Sequence, residues 1–140
     1  MQECIFCQIA DGEAPAATVD ETERTVAFLD AKPLTAGHTL VIPRTHAESI
    51  EEILPETAHE IMDQLRRLAP AIERAVDADA TTIGFNNGRA AGQEIPHVHG
   101  HIIPRSRGDG GGPIHVVRPR ESGPGDQSPD EIADRIAELL

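Results

Sequence analysis

The chain has 140 residues, within the range of a single domain, and 39% of them are hydrophobic; Trp and Tyr are absent and Phe occurs three times, so Ile, Leu, Val and Ala must fill the core. The formal net charge is −12, from 24 acidic against 12 basic residues with Lys32 the single lysine, which argues against nucleic acid as a partner and fits a surface adapted to high intracellular salt. No run of about eighteen apolar residues occurs, and the segment from Met1 to Cys7 lacks a basic region followed by an apolar stretch, so the chain reads as cytoplasmic with no membrane partner.

In chain order, the first feature is the pair Cys4 and Cys7, the only cysteines present. They stand too close together to staple a long loop, and in a reducing compartment such a pair serves as metal ligands, as a redox couple or as two buried thiols. Next, 25–31 (TVAFLDA) and 38–42 (HTLVI) are short and rich in β-branched or aromatic residues, and the turn from Pro33 to Gly37 joins them into a predicted β-hairpin. Ile61, Leu65, Leu68, Ile72 and Val76 then recur at spacings of three and four, which predicts a main helix over 55–77. Pro70 should kink or weaken that helix. A further strand over 81–85 runs into a Gly-rich turn, Asn86-Asn87-Gly88-Arg89-Ala90-Ala91-Gly92, ahead of a histidine run. The segment 106–127 is dense in Gly, Pro and Arg and reads as a loop. Ser128-Pro129-Asp130-Glu131 opens a last helix over 128–140, with Ile132, Ile136 and Leu139 as the apolar face expected to pack on the same domain. His59 and His115 have no motif around them and read as surface residues.

The run His97-Val98-His99-Gly100-His101 carries the chemistry. In an extended strand alternate side chains share a face, so the spacing predicts three imidazoles on one side. That pattern suits a chance polar face, a three-histidine metal site or a nucleophile with helpers, and spacing does not choose. The upstream turn adds phosphate-binding character: Asn86, Asn87 and Gln93 offer amides, while Gly88 and Gly92 let backbone N–H groups approach an anion.

Over roughly 1–105 the chain resembles the histidine triad (HIT) nucleotide-binding family. The matching segments are Cys-Ile-Phe-Cys-x-Ile at the N-terminus, Asp30-x-x-Pro33, Gly-His-x-Leu-Val-Ile-Pro over 37–43, the Asn…Gly…Ala-Gly-Gln approach, and HVHGHII over 97–103. Two positions depart from the usual pattern. Gly100 stands where a larger apolar residue is common, and Glu94 where a small hydroxyl residue often lies near the leaving group. The resemblance implies an α+β fold: an antiparallel sheet of about five strands, one main helix and a C-terminal helix.

It also implies a nucleotide hydrolase in which a neutral imidazole, His99, attacks the α-phosphorus of a purine nucleotide and water then releases a nucleoside monophosphate, with no catalytic metal. In that scheme His38 accepts the second ring proton of His99, His101 assists the phosphate or the leaving group, Asn86, Gly92 and Gln93 steady the oxyanions, and Asp30 binds the ribose hydroxyls. Phe6, Phe28 and Ile9 are candidates for the base pocket or for ordinary core. Phosphoramidates such as adenosine phosphoramidate are the expected substrates; dinucleoside polyphosphates, or a nucleotide-binding scaffold with little catalysis, are the alternatives. Some relatives carry structural zinc on two cysteines and two histidines, which selects Cys4, Cys7, His46 and His97 here, and members are commonly homodimers.

Overall fold

The structure, a computed structural model, describes residues 4–117 and 125–140. A short helix α1 (Ile5–Ala10) leads into strand β1 (Thr18–Glu21), then β2 (Thr25–Leu29) and β3 (Thr39–Pro43). Helix α2 (Pro55–Ala75) crosses over to β4 (Ala80–Phe85) and β5 (Gly100–Arg105). The five strands form one antiparallel sheet in the order β1-β2-β3-β5-β4, as the family resemblance implied. The predicted hairpin is β2–β3, in register from Thr25↔Pro43 to Leu29↔Thr39.

Period-2 alternation divides the core between the two faces of the sheet. Ala27, Val41 and Ile102 point to one side and pack under Ile61, Leu65, Leu68, Ala69 and Ile72 of α2. Val26, Phe28, Leu40 and Ile42 point to the other, where Phe6 of α1 covers them. Because both faces are covered, β2 and β3 carry near-continuous apolar runs, and no buried position in this core is aromatic on the α2 side. Removing one such side chain, as in Leu65→Ala, would cost about 2–5 kcal/mol.

Pro55 occupies the first turn of α2, where its missing N–H costs nothing. The helix runs on through Pro70, which lies on the solvent side together with Arg66, four residues earlier. Asp77, with φ +56°, turns the chain out of the helix. The sequence reading had no strand over β1 and no helix over α1, whose short apolar patterns are too brief to show a period.

The last helix, α3 (Pro129–Leu139), forms where expected, with the Ser128 hydroxyl accepting from the Glu131 N–H at 3.2 Å. Its expected packing on the domain is not seen: none of its residues is buried, and Ile136 and Leu139 face solvent. Within the predicted loop, 114–117 forms a 3₁₀ turn, and part of that loop, 118–124, lies outside the described residues.

Candidate active site and metal centre

The histidine run does not form one strand. β5 begins only at Gly100, and the segment before it bends, so His97 and Val98 are both buried while His99 is half-buried. The three rings consequently separate. His99 and His101 lie edge to face with centroids 4.9 Å apart, whereas His97 turns to His46, at 5.1 Å. Phe6 packs its edge against both His97 and His99, at 5.9 and 5.0 Å. The expectation of three coplanar imidazoles fails because the extended pairing starts after His99.

Each remaining ring is held in a definite tautomer. The His97 carbonyl can only accept, so Nδ1 of His99, 2.9 Å away, carries the proton and Nε2 keeps its lone pair. His38 was expected to perform this task. It instead reaches His101: Nε2 of His38 lies 2.9 Å from Nδ1 of His101, because the pairing Leu40↔His101 brings the two onto the same face. The Leu34 N–H donates to Nδ1 of His38 at 3.1 Å, which leaves the proton on Nε2 of His38 and makes it the donor to His101. The proton of His101 is thereby placed on Nε2, a buried atom with no partner among the described residues.

Burial pushes the His101 ring down to about 4, with the neighbouring His99 and His38 adding to the effect; burial also lowers His38, against the opposing pull of the Asp30 carboxylate. Oδ2 of Asp30 is 3.7 Å from Nδ1 of His38, and its Oδ1 accepts from the Lys32 N–H. Asp30, His38 and His101 thus gather their polar atoms in one place.

The Gly-rich turn is built differently from its expected use. Gln93 is buried and both ends of its amide are spent: Oε1 accepts from the Gly88 N–H at 2.8 Å, and Nε2 donates to the carbonyls of Glu48 and Ile95. With no donor to spare it braces the turn and does not face an oxyanion. The Gly92 N–H is likewise taken, by the Arg89 carbonyl, while Gly92 itself adopts the left-handed conformation, φ +102°, that suits glycine. Asn87 accepts from the Ile50 N–H. Asn86 is exposed and lies beside Gly92, so of the three amides it is the one positioned for a ligand. Phe6 and Phe28 are buried in the core and only Ile9 is partly open, so the two phenylalanines are packing residues. His59 and His115 are exposed, as read from their context.

At the far end of the site Cys4, Cys7, His46 and His97 bring four donor atoms within 4.8 Å of one another. Cys4 caps α1, and the first turn of that helix carries Cys7 back towards the same point. Nδ1 of His97 is 3.4 Å from Sγ of Cys4 and 3.3 Å from Sγ of Cys7, and Nδ1 of His46 is 3.2 Å from Sγ of Cys7. A tetrahedral zinc with ordinary bond lengths separates S and N ligands by about 3.6 Å, so these edges fit such an ion after a small expansion. Nε2 of His97 donates to the Pro43 carbonyl at 2.8 Å, the outer hydrogen bond that aims a metal-binding imidazole. Burial, the Cys4 thiol and the Asp11 carboxylate push the Cys7 thiol up to about 11, an order that a bound cation would reverse.

Sequence reasoning missed the backbone groups that set these tautomers, the Leu34 N–H and the carbonyls of His97 and Pro43, because a main-chain partner leaves no mark in residue identity.

An antiparallel sheet that presents an imidazole pair on its open face, with a third histidine diverted into a Cys2His2 cluster, defines a histidine triad protein. Residues 11–108 match the HIT domain family, and the chain belongs to it. A HIT family protein of Bacillus subtilis has a similar solved structure, with a TM-score of 0.83 at 38% identity, covering 99% of this chain and 98% of that one. A zinc-bound histidine triad family protein from Mycobacterium smegmatis superposes with a TM-score of 0.73 at 34% identity over 98% of this chain and 95% of that one. Among characterised relatives, an adenosine 5′-monophosphoramidase of Schizosaccharomyces pombe is 35% identical over 122 residues, 84% of this chain and 89% of the relative. Members of the family are hydrolases that bind nucleotides. No described helix is long and apolar enough to cross a membrane.

Proposed function

We propose that the chain hydrolyses nucleoside 5′-phosphoramidates, adenosine phosphoramidate among them, through a nucleotidyl intermediate on Nε2 of His99. The observation that carries this reading is the pairing of a lone pair with a proton: His99 is locked by the His97 carbonyl with Nε2 unprotonated, while the adjoining His101 has its Nε2 proton unpartnered. One ring can attack and the other can hydrogen-bond what is attacked or expelled.

Binding an anionic substrate opposes the burial that keeps His101 neutral and favours its protonated form, as does Asp30 behind His38. The lone pair of His99 forms an N–P bond as the P–N bond to the leaving amine breaks, and the protonated His101 gives its proton to that nitrogen. Water then attacks phosphorus, returns a proton to His101 and frees His99 with release of the nucleoside monophosphate. Asn86 steadies the phosphoryl oxygens, and the open side of Asp30 accepts from the ribose hydroxyls.

Cys4, Cys7, His46 and His97 would hold zinc as a closed structural centre, whose chemistry is to tie α1 and the approach to His99 together. The similar zinc-bound mycobacterial protein supports this assignment. A homodimer belongs to the same proposal: β4 is an edge strand, and Ile83 on it is 41% exposed, so a second copy would cover both.

The test compares wild type with His99→Ala on adenosine phosphoramidate. Loss of kcat by about 10⁴-fold with nucleotide affinity retained is expected, and equal turnover would overturn the covalent mechanism.

A further inference from the structure

Cys4 and Cys7 are placed for each other as closely as for a metal. One turn of helix sets residues three apart about 5 Å from each other at Cα, inside the span of about 4.4–6.8 Å that a disulfide bridges. Cys4 caps α1 and Cys7 closes its first turn, with the Cys7 N–H donating to Sγ of Cys4 at 3.4 Å and the two sulfurs within 4.8 Å of each other. Their exposure differs. Cys4 is half-buried and Cys7 is 4% exposed, so an oxidant dissolved in water meets Cys4 first and has Cys7 behind it. No other cysteine occurs in the chain, so each has the other as its one intramolecular partner. The residue between them in sequence ties the pair to the histidines: Phe6 packs its edge on the rings of His97 and His99, and Nδ1 of His97 stands 3.4 and 3.3 Å from the two sulfurs. The His97 carbonyl in turn holds the Nδ1 proton of His99.

We propose that Cys4 and Cys7 form a reversible oxidation site: a peroxide closes a disulfide between them, the four-donor cluster is reduced to His46 and His97, and the support of His99 slackens. The proposal goes beyond the hydrolase reading and does not need it; its metal half rests on the Cys2His2 reading. The chemistry balances with one peroxide. Sγ of Cys4 attacks a peroxide oxygen, S–O forms as O–O breaks, and the departing hydroxide takes up a proton and leaves as water. Sγ of Cys7 then attacks Sγ of Cys4, S–S forms as S–O breaks, and a second water leaves. Two electrons pass from the sulfurs to the peroxide, and the protons come from the thiols or, where a cation holds them as thiolates, from water. Thiolate and not disulfide sulfur is the metal ligand, and two imidazoles do not make the closed four-ligand site of a structural zinc, so zinc is given up. His97 then keeps the Pro43 carbonyl as its ring partner, and α1, whose buried residues are Phe6 and Cys7, is free to shift Phe6 against the two rings. A reductant together with zinc reverses the change.

The experiment treats the zinc-loaded full chain with a small excess of hydrogen peroxide and follows mass, released metal and the histidine NMR signals together. The tryptic peptide ending at Arg24, which holds both cysteines, should lose about 2 Da, with about one zinc released per chain. A phosphine reductant with added zinc should restore both. The imidazole signals of His97 and His99 should move on oxidation, while those of His59, exposed on α2, stay in place. A disulfide between two chains, sulfinic acid on either cysteine without an internal bond, or thiols that stay reduced would each overturn the proposal, as would an internal disulfide that left the His99 signals unmoved. If the purified chain carries no zinc, the Cys2His2 reading fails, and the mass and His99 signals still decide the oxidation site: the loss of about 2 Da with a moved His99 upholds it, and the lack of either refutes it.

Discussion

Gly100 separates His99 from His101, and its replacement makes a quantitative test of how the two rings are supported. A Cβ built there would lie 2.8 Å from Cζ and 3.0 Å from Cε2 of Phe85, which comes from the paired position on β4. The ring of Phe85 therefore fills the space that a larger residue at position 100 would take. Gly100 is outside the left-handed region, so the barrier to substitution is steric alone. Gly100→Val should cost about 1–2 kcal/mol: overpacking of about 1–3 kcal/mol, partly offset by the better strand propensity of valine. Phe85→Ala should cost about 2 kcal/mol, less than for a fully buried phenylalanine, because the ring is only half-buried. In the double variant the clash is gone and valine occupies the vacated volume, so the two costs should fail to add by about 2 kcal/mol. Urea unfolding of the four proteins at one zinc concentration measures this directly, and kcat should fall in Gly100→Val and recover in the double variant as His99 and His101 return to place. Costs that add to within about 0.5 kcal/mol would refute the account of Gly100.

Two further outcomes follow from the Cys2His2 cluster and from the buried rings. Freshly purified wild type should contain one zinc per chain and Cys4→Ser almost none, with a lower thermal midpoint; a metal-free wild type of full stability would remove the site. Stability should also fall as pH drops from about 6.5 towards 4. The folded chain holds His101 near 4 and lowers His38 as well, whereas the unfolded chain protonates its histidines near 6.5, so across that window the unfolded state binds more protons. Above 6.5 these groups are neutral in both states and contribute no slope. Urea midpoints at pH 7 and pH 5 report the effect, and His101→Asn should flatten it; an unchanged slope would contradict the burial assigned to His101.

The hairpin and the long helix were legible because each leaves a period or a turn in the sequence, whereas the five-stranded sheet followed from the family resemblance and β1 left no pattern of its own. The Cys2His2 cluster was legible only through the family resemblance, since Cys4 and Cys7 lie far along the chain from His46 and His97. What failed did so for identifiable reasons. The alternation of the histidine run predicted one face, but a bend ahead of Gly100 redirected His97 to the cysteines. Gln93 has the chemistry of an oxyanion donor, yet tertiary contacts with Gly88, Glu48 and Ile95 consume it. His38 was expected against His99 and lies instead against His101, because strand register, and not residue type, decides that contact. The segment after β5 is held by four hydrogen bonds from Arg105, which a loop rich in Gly and Pro does not announce.

The stereochemistry of hydrolysis at the α-phosphorus bears most directly on His99 as nucleophile. A single diastereomer of an adenosine 5′-phosphoramidate carrying sulfur on phosphorus, turned over in ¹⁸O-enriched water, yields a product whose configuration can be assigned. Two successive in-line displacements, by Nε2 of His99 and then by water, predict overall retention. Inversion would mean that water attacks in one step, and it would contradict the nucleotidyl-histidine mechanism.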